Sequence, residues 1–258
     1  GNPAGQIANL HTVFNIATTV LLIPFGTFLA MAVEKILPDR GETDTGLKLM
    51  YIRKQENIQS DKLGVSAMSM TATKMEIARM LEMTRSNVST CFEAFMNRRT
   101  DLVPQVDETE EYIDFLNKEI SKYISKMVTH ERTVNGSRIF NSYFKITSNI
   151  ERIGDHAVNV AGYTYMLREK DIKLSDESVN EVVQIQNVCD QLLGCLLHEE
   201  TDVLEKHEKV AALEQRIDDM TEEFRNGMLN RIQQGICSDE SSILFSEMLT
   251  DFERIGDH

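Results

Sequence analysis

The chain has 258 residues, enough for about two domains, with 41% apolar and 26% charged residues, the composition of a folded protein. Its formal net charge of −14 argues against sequence-independent nucleic-acid binding, which needs Lys/Arg clusters, and is compatible with binding cations. Four prolines, no Trp and thirteen Met favour a mostly helical chain, and Cys91, Cys189, Cys195 and Cys237 lack Cys-x-x-Cys spacing, so they read as reduced, buried thiols.

The first 33 residues contain no Asp, Glu, Lys or Arg. The run from Val13 to Val33 is uncharged and long enough to span a bilayer, for which about 20 residues suffice. A signal peptide does not fit, because there is no basic leader and polar Asn9, His11 and Asn15 precede the apolar core. Pro24 and Gly26 lie within the run, as membrane helices tolerate when neighbours satisfy the freed backbone groups. Lys35, Arg40, Lys48, Arg53 and Lys54 all follow the span, so the positive-inside rule puts the C-terminal part on the cytoplasmic side. Polar Asn9, His11, Thr12 and Asn15 lead straight into the span, a pattern that suits either a transport pathway or interhelical hydrogen bonds.

Residues 39–66 read as a linker, with Pro38, Gly41 and Gly46 breaking helix. Ile77, Leu81, Val88, Phe92 and Phe95 then recur at helical spacing and predict a first helix from about 67 to 98. A second is expected over 106–130, and a third from a turn at Asn135-Gly136 to about 168. Three more are expected over 175–199, 203–233 and 239–258, with Ser175-Asp176-Glu177 and Ser238-Asp239-Glu240 as starts. The methionines of the first helix, Met68, Met70, Met75, Met80 and Met83, read as adaptable core.

One hexapeptide occurs twice. Glu151-Arg152-Ile153-Gly154-Asp155-His156 returns as Glu253-Arg254-Ile255-Gly256-Asp257-His258, 102 residues later. About forty residues before each copy stands another acidic pair at i, i+4, Glu110/Asp114 and Glu214/Asp218, 104 residues apart. The spacing makes this a domain-sized duplication rather than a solenoid repeat. On a helix, i and i+4 share a face. The Glu151/Asp155 pair lies opposite the apolar stripe Ile146, Ile150, Ile153, Ala157 and Val160, and Glu110/Asp114 flank the stripe Ile113, Leu116, Ile120, Ile124 and Met127. Leu213, Ile217, Met220 and Phe224 form the stripe beside Glu214/Asp218. Paired carboxylates without partner Cys or His suit hard, oxygen-seeking cations. A single such pair is ordinary surface charge; four at duplicated positions point to metal.

Glu-Arg-Ile-Gly-Asp after an apolar helix, with an upstream Glu-x-x-x-Asp, resembles the PhoU family over roughly residues 67–258. The resemblance implies two tandem three-helix bundles, 67–170 and 171–258; with the uncharged span before them, the expected fold is all-α, a membrane helix segment followed by the bundles. It implies divalent or trivalent metal ions, iron, zinc, manganese or magnesium, on Glu110, Asp114, Glu151, Asp155, Glu214, Asp218, Glu253 and Asp257. It departs where the second copy stops at His258 while the first runs on through Ala157, Val158 and Asn159, and both chain ends read as cut.

The stretch Ala8-Asn9-Leu10-His11-Thr12-Val13-Phe14-Asn15 resembles the end of the membrane domain (here residues 1–38) in the sodium/phosphate cotransporter family, many of whose bacterial members carry a PhoU-like tail. That implies a multi-pass cell-membrane protein taking inorganic phosphate with sodium as the coupling ion. The PhoU-like domain would face the cytoplasm and dock on its own membrane domain. The family's Gln-Ser-Ser-Ser motifs are expected upstream of Gly1. A membrane-tethered adaptor that passes phosphate status to signalling proteins without transporting is the alternative, and a metal-storage or scaffold domain a blander one. No nucleophile–base pair or phosphate-cradling Gly loop suggests an enzyme.

Overall fold

The computed structural model describes residues 12–15, 17–19, 46–52, 65–198 and 202–258. The chain divides into two units, Gly1–Leu47 and Lys48–His258. In the first, residues 12–15 and 17–19 are helical, and Val13 and Phe14 are exposed. The rest of the expected span to Val33, with Asn9 and His11, lies outside the described residues. Among the described residues, no helix is long and apolar enough to cross a membrane.

The second unit is built from six helices: α1 (Val65–Met96), α2 (Val103–His130), α3 (Val134–Glu169), α4 (Asp176–Leu197), α5 (Val203–Gln233) and α6 (Asp239–Asp257). Helices α1, α2 and α3 pack together as one bundle; α4, α5 and α6 form the second. The two share a seam in which α3 meets α6 and α1 meets α4. Phe92 of α1 stacks on Phe252 of α6 with ring centroids 4.9 Å apart, both rings fully buried, so the core continues from one bundle into the other. Arg85 of α1 grips Asp190 of α4 through two bonds, Nε to Oδ1 at 2.8 Å and a terminal nitrogen to Oδ2 at 3.0 Å.

The helix starts follow local chemistry. Ser175 accepts the Ser178 N–H and Ser238 accepts the Ser241 N–H, each with two acids in the first turn. Asp202 caps α5 through the Leu204 and Glu205 N–H groups. The expected turn at Asn135-Gly136 is instead the first turn of α3, capped by Thr133, which accepts the Gly136 N–H. A Cβ at 136 would overlap the Glu131 carboxylate, folded back to accept from Thr133, so any larger residue there would displace that side chain. At the end of α5, Gly235 takes the left-handed conformation, φ 68°, that closes a helix C-terminus.

Two expectations are corrected. Ile146 is exposed; its neighbour Thr147 takes the inward place and returns its hydroxyl to the Tyr143 carbonyl at 2.7 Å. Of the five methionines, Met80 is fully buried, whereas Met68 and Met75 are exposed on the outer face of α1. Cys91, Cys189 and Cys195 are buried free thiols, and Cys237 is half-buried.

Lys48–Ile52, expected as linker, is anchored to the first bundle. The fully buried Glu76 carboxylate accepts, on one oxygen, the N–H groups of Met50 at 2.9 Å, Tyr51 at 2.7 Å and Ile52 at 3.3 Å. Its other oxygen accepts from Arg79 Nε at 2.7 Å, and Arg79 donates onward to the Lys48 carbonyl at 3.1 Å. The Tyr112 hydroxyl donates to that same carbonyl at 2.9 Å, beneath the Arg79 guanidinium. A buried carboxylate satisfied in this way by three backbone donors and an arginine holds a segment that has no regular structure of its own.

Candidate metal centres and an adjoining cleft

Each acidic cluster is assembled by one close helix contact. Gly154 of α3 faces Ile113 of α2, where a Cβ would meet the isoleucine side chain at 3.5 Å. Gly256 of α6 faces Ile217 of α5, where a Cβ would meet it at 3.2 Å. These isoleucines lie just before Asp114 and Asp218; the approach at Gly256 is tight enough to favour glycine, whereas at Gly154 a methyl group would make ordinary contact. The result is Glu110, Asp114, Glu151 and Asp155 on one side, and Glu214, Asp218, Glu253 and Asp257 on the other.

The electrostatics register both convergences. Burial, and then the charges of Asp155, Asp114 and Glu151, push the Glu110 carboxyl up to about 7. Glu151 is pushed up by burial and then by Asp155 and Asp114. In the second cluster burial raises Asp218, followed by the charges of Asp257, Glu214 and Glu253. Carboxyl oxygens of Glu214, Asp218 and Asp257 lie within 4.8 Å of one another, close enough to share one ion.

The clusters differ in the cations already present. Lys118 pairs with Asp114 in the first, and the matching residue of the second copy is Glu222. In the second, Arg225 holds Glu253 at 2.9 Å and Arg254 holds Asp257 at 3.1 Å. These exposed pairs are weak and exchangeable, so a multivalent cation can replace them. All-oxygen donor sets of this size suit magnesium, manganese or iron; zinc would be held by carboxylates alone. Of the four residues expected to line a transport pathway, only Thr12 and Asn15 fall among the described residues; the Asn15 carbonyl accepts the Thr19 hydroxyl at 2.8 Å, an ordinary helix contact.

Beside the first cluster, with Glu110 and Asp155 in its wall, lies an open cleft of about 570 Å³, where α3 meets α6. It is lined by Arg152 and His156 of the first hexapeptide and Arg254 and His258 of the second, with Asn159 beside them. The His156 and His258 rings stack with centroids 5.8 Å apart. Burial, then the neighbouring Arg152 and His156, push the His258 imidazole below its ordinary range.

One wall of this cleft is fixed by a residue the sequence reading missed. Asp251, only 6% exposed, accepts from His156 Nδ1 at 2.8 Å, Asn159 Nδ2 at 3.1 Å and the Tyr163 hydroxyl at 2.7 Å. Burial and then Asp251 push the Tyr163 hydroxyl well up. A signal was present: Asp251 stands in the apolar stripe Leu244, Met248, Ile255, where a charge needs partners.

A helical unit with duplicated carboxylate clusters is the class of protein that fold and site define. A family model described as the PhoU domain matches residues 77–164. A phosphate-specific transport system accessory protein PhoU homologue of Thermotoga maritima is 25% identical over 194 residues, 73% of this chain and 82% of its own length. A homologue with the same description from Clostridium acetobutylicum is 23% identical over 185 residues, 70% of this chain and 83% of its own. The crystal structure of PhoU from Pseudomonas aeruginosa superposes with a TM-score of 0.68 at 19% identity, covering 74% of this chain and 91% of that one. A phosphate transport system regulatory protein PhoU from Streptococcus pneumoniae gives a TM-score of 0.64 at 16% identity, covering 74% and 90%. The domain match and the relatives liken this chain to PhoU proteins, and the solved structures share the fold of its helical unit.

Proposed function

We propose that the chain is a metal-carrying regulatory module of phosphate transport, tethered to the membrane by residues 13–33 and facing the cytoplasm. The observation that carries this reading is the approach of the Glu214, Asp218 and Asp257 carboxyl oxygens to within 4.8 Å of one another, at the second copy of a motif whose first copy gathers Glu110, Asp114, Glu151 and Asp155. The relatives named as accessory proteins of phosphate-specific transport systems supply the physiological context. Signalling proteins of the phosphate response are the partners expected, and bound cations, by cancelling the carboxylate repulsion, would set which surface α2, α3, α5 and α6 present to them. The test has two arms. Metal analysis of the purified chain should find cations that are lost when Glu110, Asp114, Glu151 and Asp155 are changed to Ala. Cells carrying those changes should lose the adjustment of phosphate uptake to external phosphate, and unchanged adjustment would refute the regulatory role.

A second reading is that the chain is the end of a sodium-dependent phosphate transporter. It is favoured by Ala8-Asn9-Leu10-His11-Thr12-Val13-Phe14-Asn15. Phosphate uptake by vesicles holding the protein with its upstream sequence, with and without sodium, separates the two: sodium-driven uptake selects the transporter, and none selects the adaptor.

A further inference from the structure

The metal reading uses the Glu, Gly and Asp of each hexapeptide; its Arg and His line the cleft, Arg254 with one terminal nitrogen on Asp257 at 3.1 Å and His156 held by Asp251. Both copies direct them to the same cleft, because α3 and α6 pack against each other at the seam. Two guanidiniums and two imidazoles, contributed pairwise by a duplicated motif, face about 570 Å³ of open space. Arg152 and Arg254 are exposed at its rim, and Asn159 adds an amide.

We propose that this cleft binds a phosphoryl group, with Arg152 and Arg254 as its charged grips and His156, Asn159 and His258 as hydrogen-bonding partners. The proposal rests on the metal reading in one respect: Glu110 and Asp155 also line the cleft, and a cation on their cluster cancels the negative charge that would oppose an anion.

Arginine matches the geometry of phosphate oxygens with parallel N–H groups, and two from opposite walls can embrace one tetrahedral anion. His156 is not free to turn. The Asp251 carboxylate accepts its Nδ1–H at 2.8 Å, which fixes the ring and leaves Nε2 to the cleft. Asp251 also holds the Asn159 amide at 3.1 Å, so one buried carboxylate positions two of the cleft's polar groups. The cleft is open, so both inorganic phosphate and a phosphate monoester can reach it.

Calorimetric titration of the full chain with inorganic phosphate and phenyl phosphate, in magnesium, tests this. Saturable phosphate binding is expected. Arg152→Gln with Arg254→Gln should weaken phosphate by roughly tenfold or more, with part of the affinity returning in the Arg→Lys pair. Preference for phenyl phosphate would identify the source as a phosphorylated partner, and preference for the inorganic ion as free phosphate. If the Gln pair disturbs folding, phosphorus resonance broadening by the unaltered protein replaces it. Absent broadening, or undiminished phosphate affinity in the folded Gln pair, would overturn the proposal. Magnesium titrated alone keeps the two readings apart: Arg-dependent phosphate binding without magnesium binding removes the metal reading and leaves the phosphoryl site standing.

Discussion

The Glu76 carboxylate lies 2.7 Å from the backbone nitrogen of Tyr51 and collects the two flanking N–H groups as well, so one side chain of α1 fixes the segment that enters the helical unit. Glu76→Ala would strand three backbone donors and the Arg79 guanidinium. A loss of about 3 kcal/mol is expected, read as a lower urea midpoint with faster amide exchange at residues 50–52. A chain starting at Lys48 should be more stable than one starting at Val65, since the second lacks the segment that Glu76 anchors.

Lys118 acts as an internal counter-ion in the first acidic cluster, against Asp114. Lys118→Met should therefore tighten cation binding there, and leave the second cluster, with Arg225 and Arg254, unchanged. Calorimetric titration with magnesium resolves the two sites. Equal affinity with and without the lysine would mean that it does not compete for the carboxylates.

Glu110 has a folded-state value of about 7, above its ordinary 4.5, because burial and the charges of Asp155, Asp114 and Glu151 disfavour ionisation. The folded state thus holds a proton that the unfolded state has already released between these values. Stability of the metal-free protein should fall as pH rises from about 4.5 through about 7. Glu110→Gln should flatten that slope, and saturating magnesium should reverse it by favouring the ionised cluster. Thermal melts across this range check both.

Phe252 spans the seam to Phe92, with both rings buried. Phe252→Ala should cost about 3–5 kcal/mol through the cavity left. Because the contact joins the bundles, the loss should also split a single unfolding transition into two, detectable by calorimetry. A single transition shifted as a whole would place the coupling elsewhere, in Arg85 and Asp190 for example.

The six helices of the second unit could be read from the chain because their signals are local. Apolar residues recur at 3.6-residue spacing, and Ser175 and Ser238 with their following acids mark the starts of α4 and α6. The acidic pairs were equally legible, since i, i+4 spacing fixes a shared face before any tertiary contact exists. Which pairs converge was decided by the close approach of Gly154 to Ile113 and of Gly256 to Ile217. The neighbours of Glu76 and Asp251 were decided there too: Glu76 meets backbone from about 25 residues upstream, and Asp251 meets side chains from near 90 residues upstream. A buried charge is tolerable only through such distant partners. The sequence by itself therefore determined the helices, their duplication and the residue types available to a cation. Only the tertiary structure decided that Glu151 and Asp155 join Glu110 and Asp114, and that both copies turn their arginine and histidine toward one cleft, because those facts depend on how helices far apart in the chain pack.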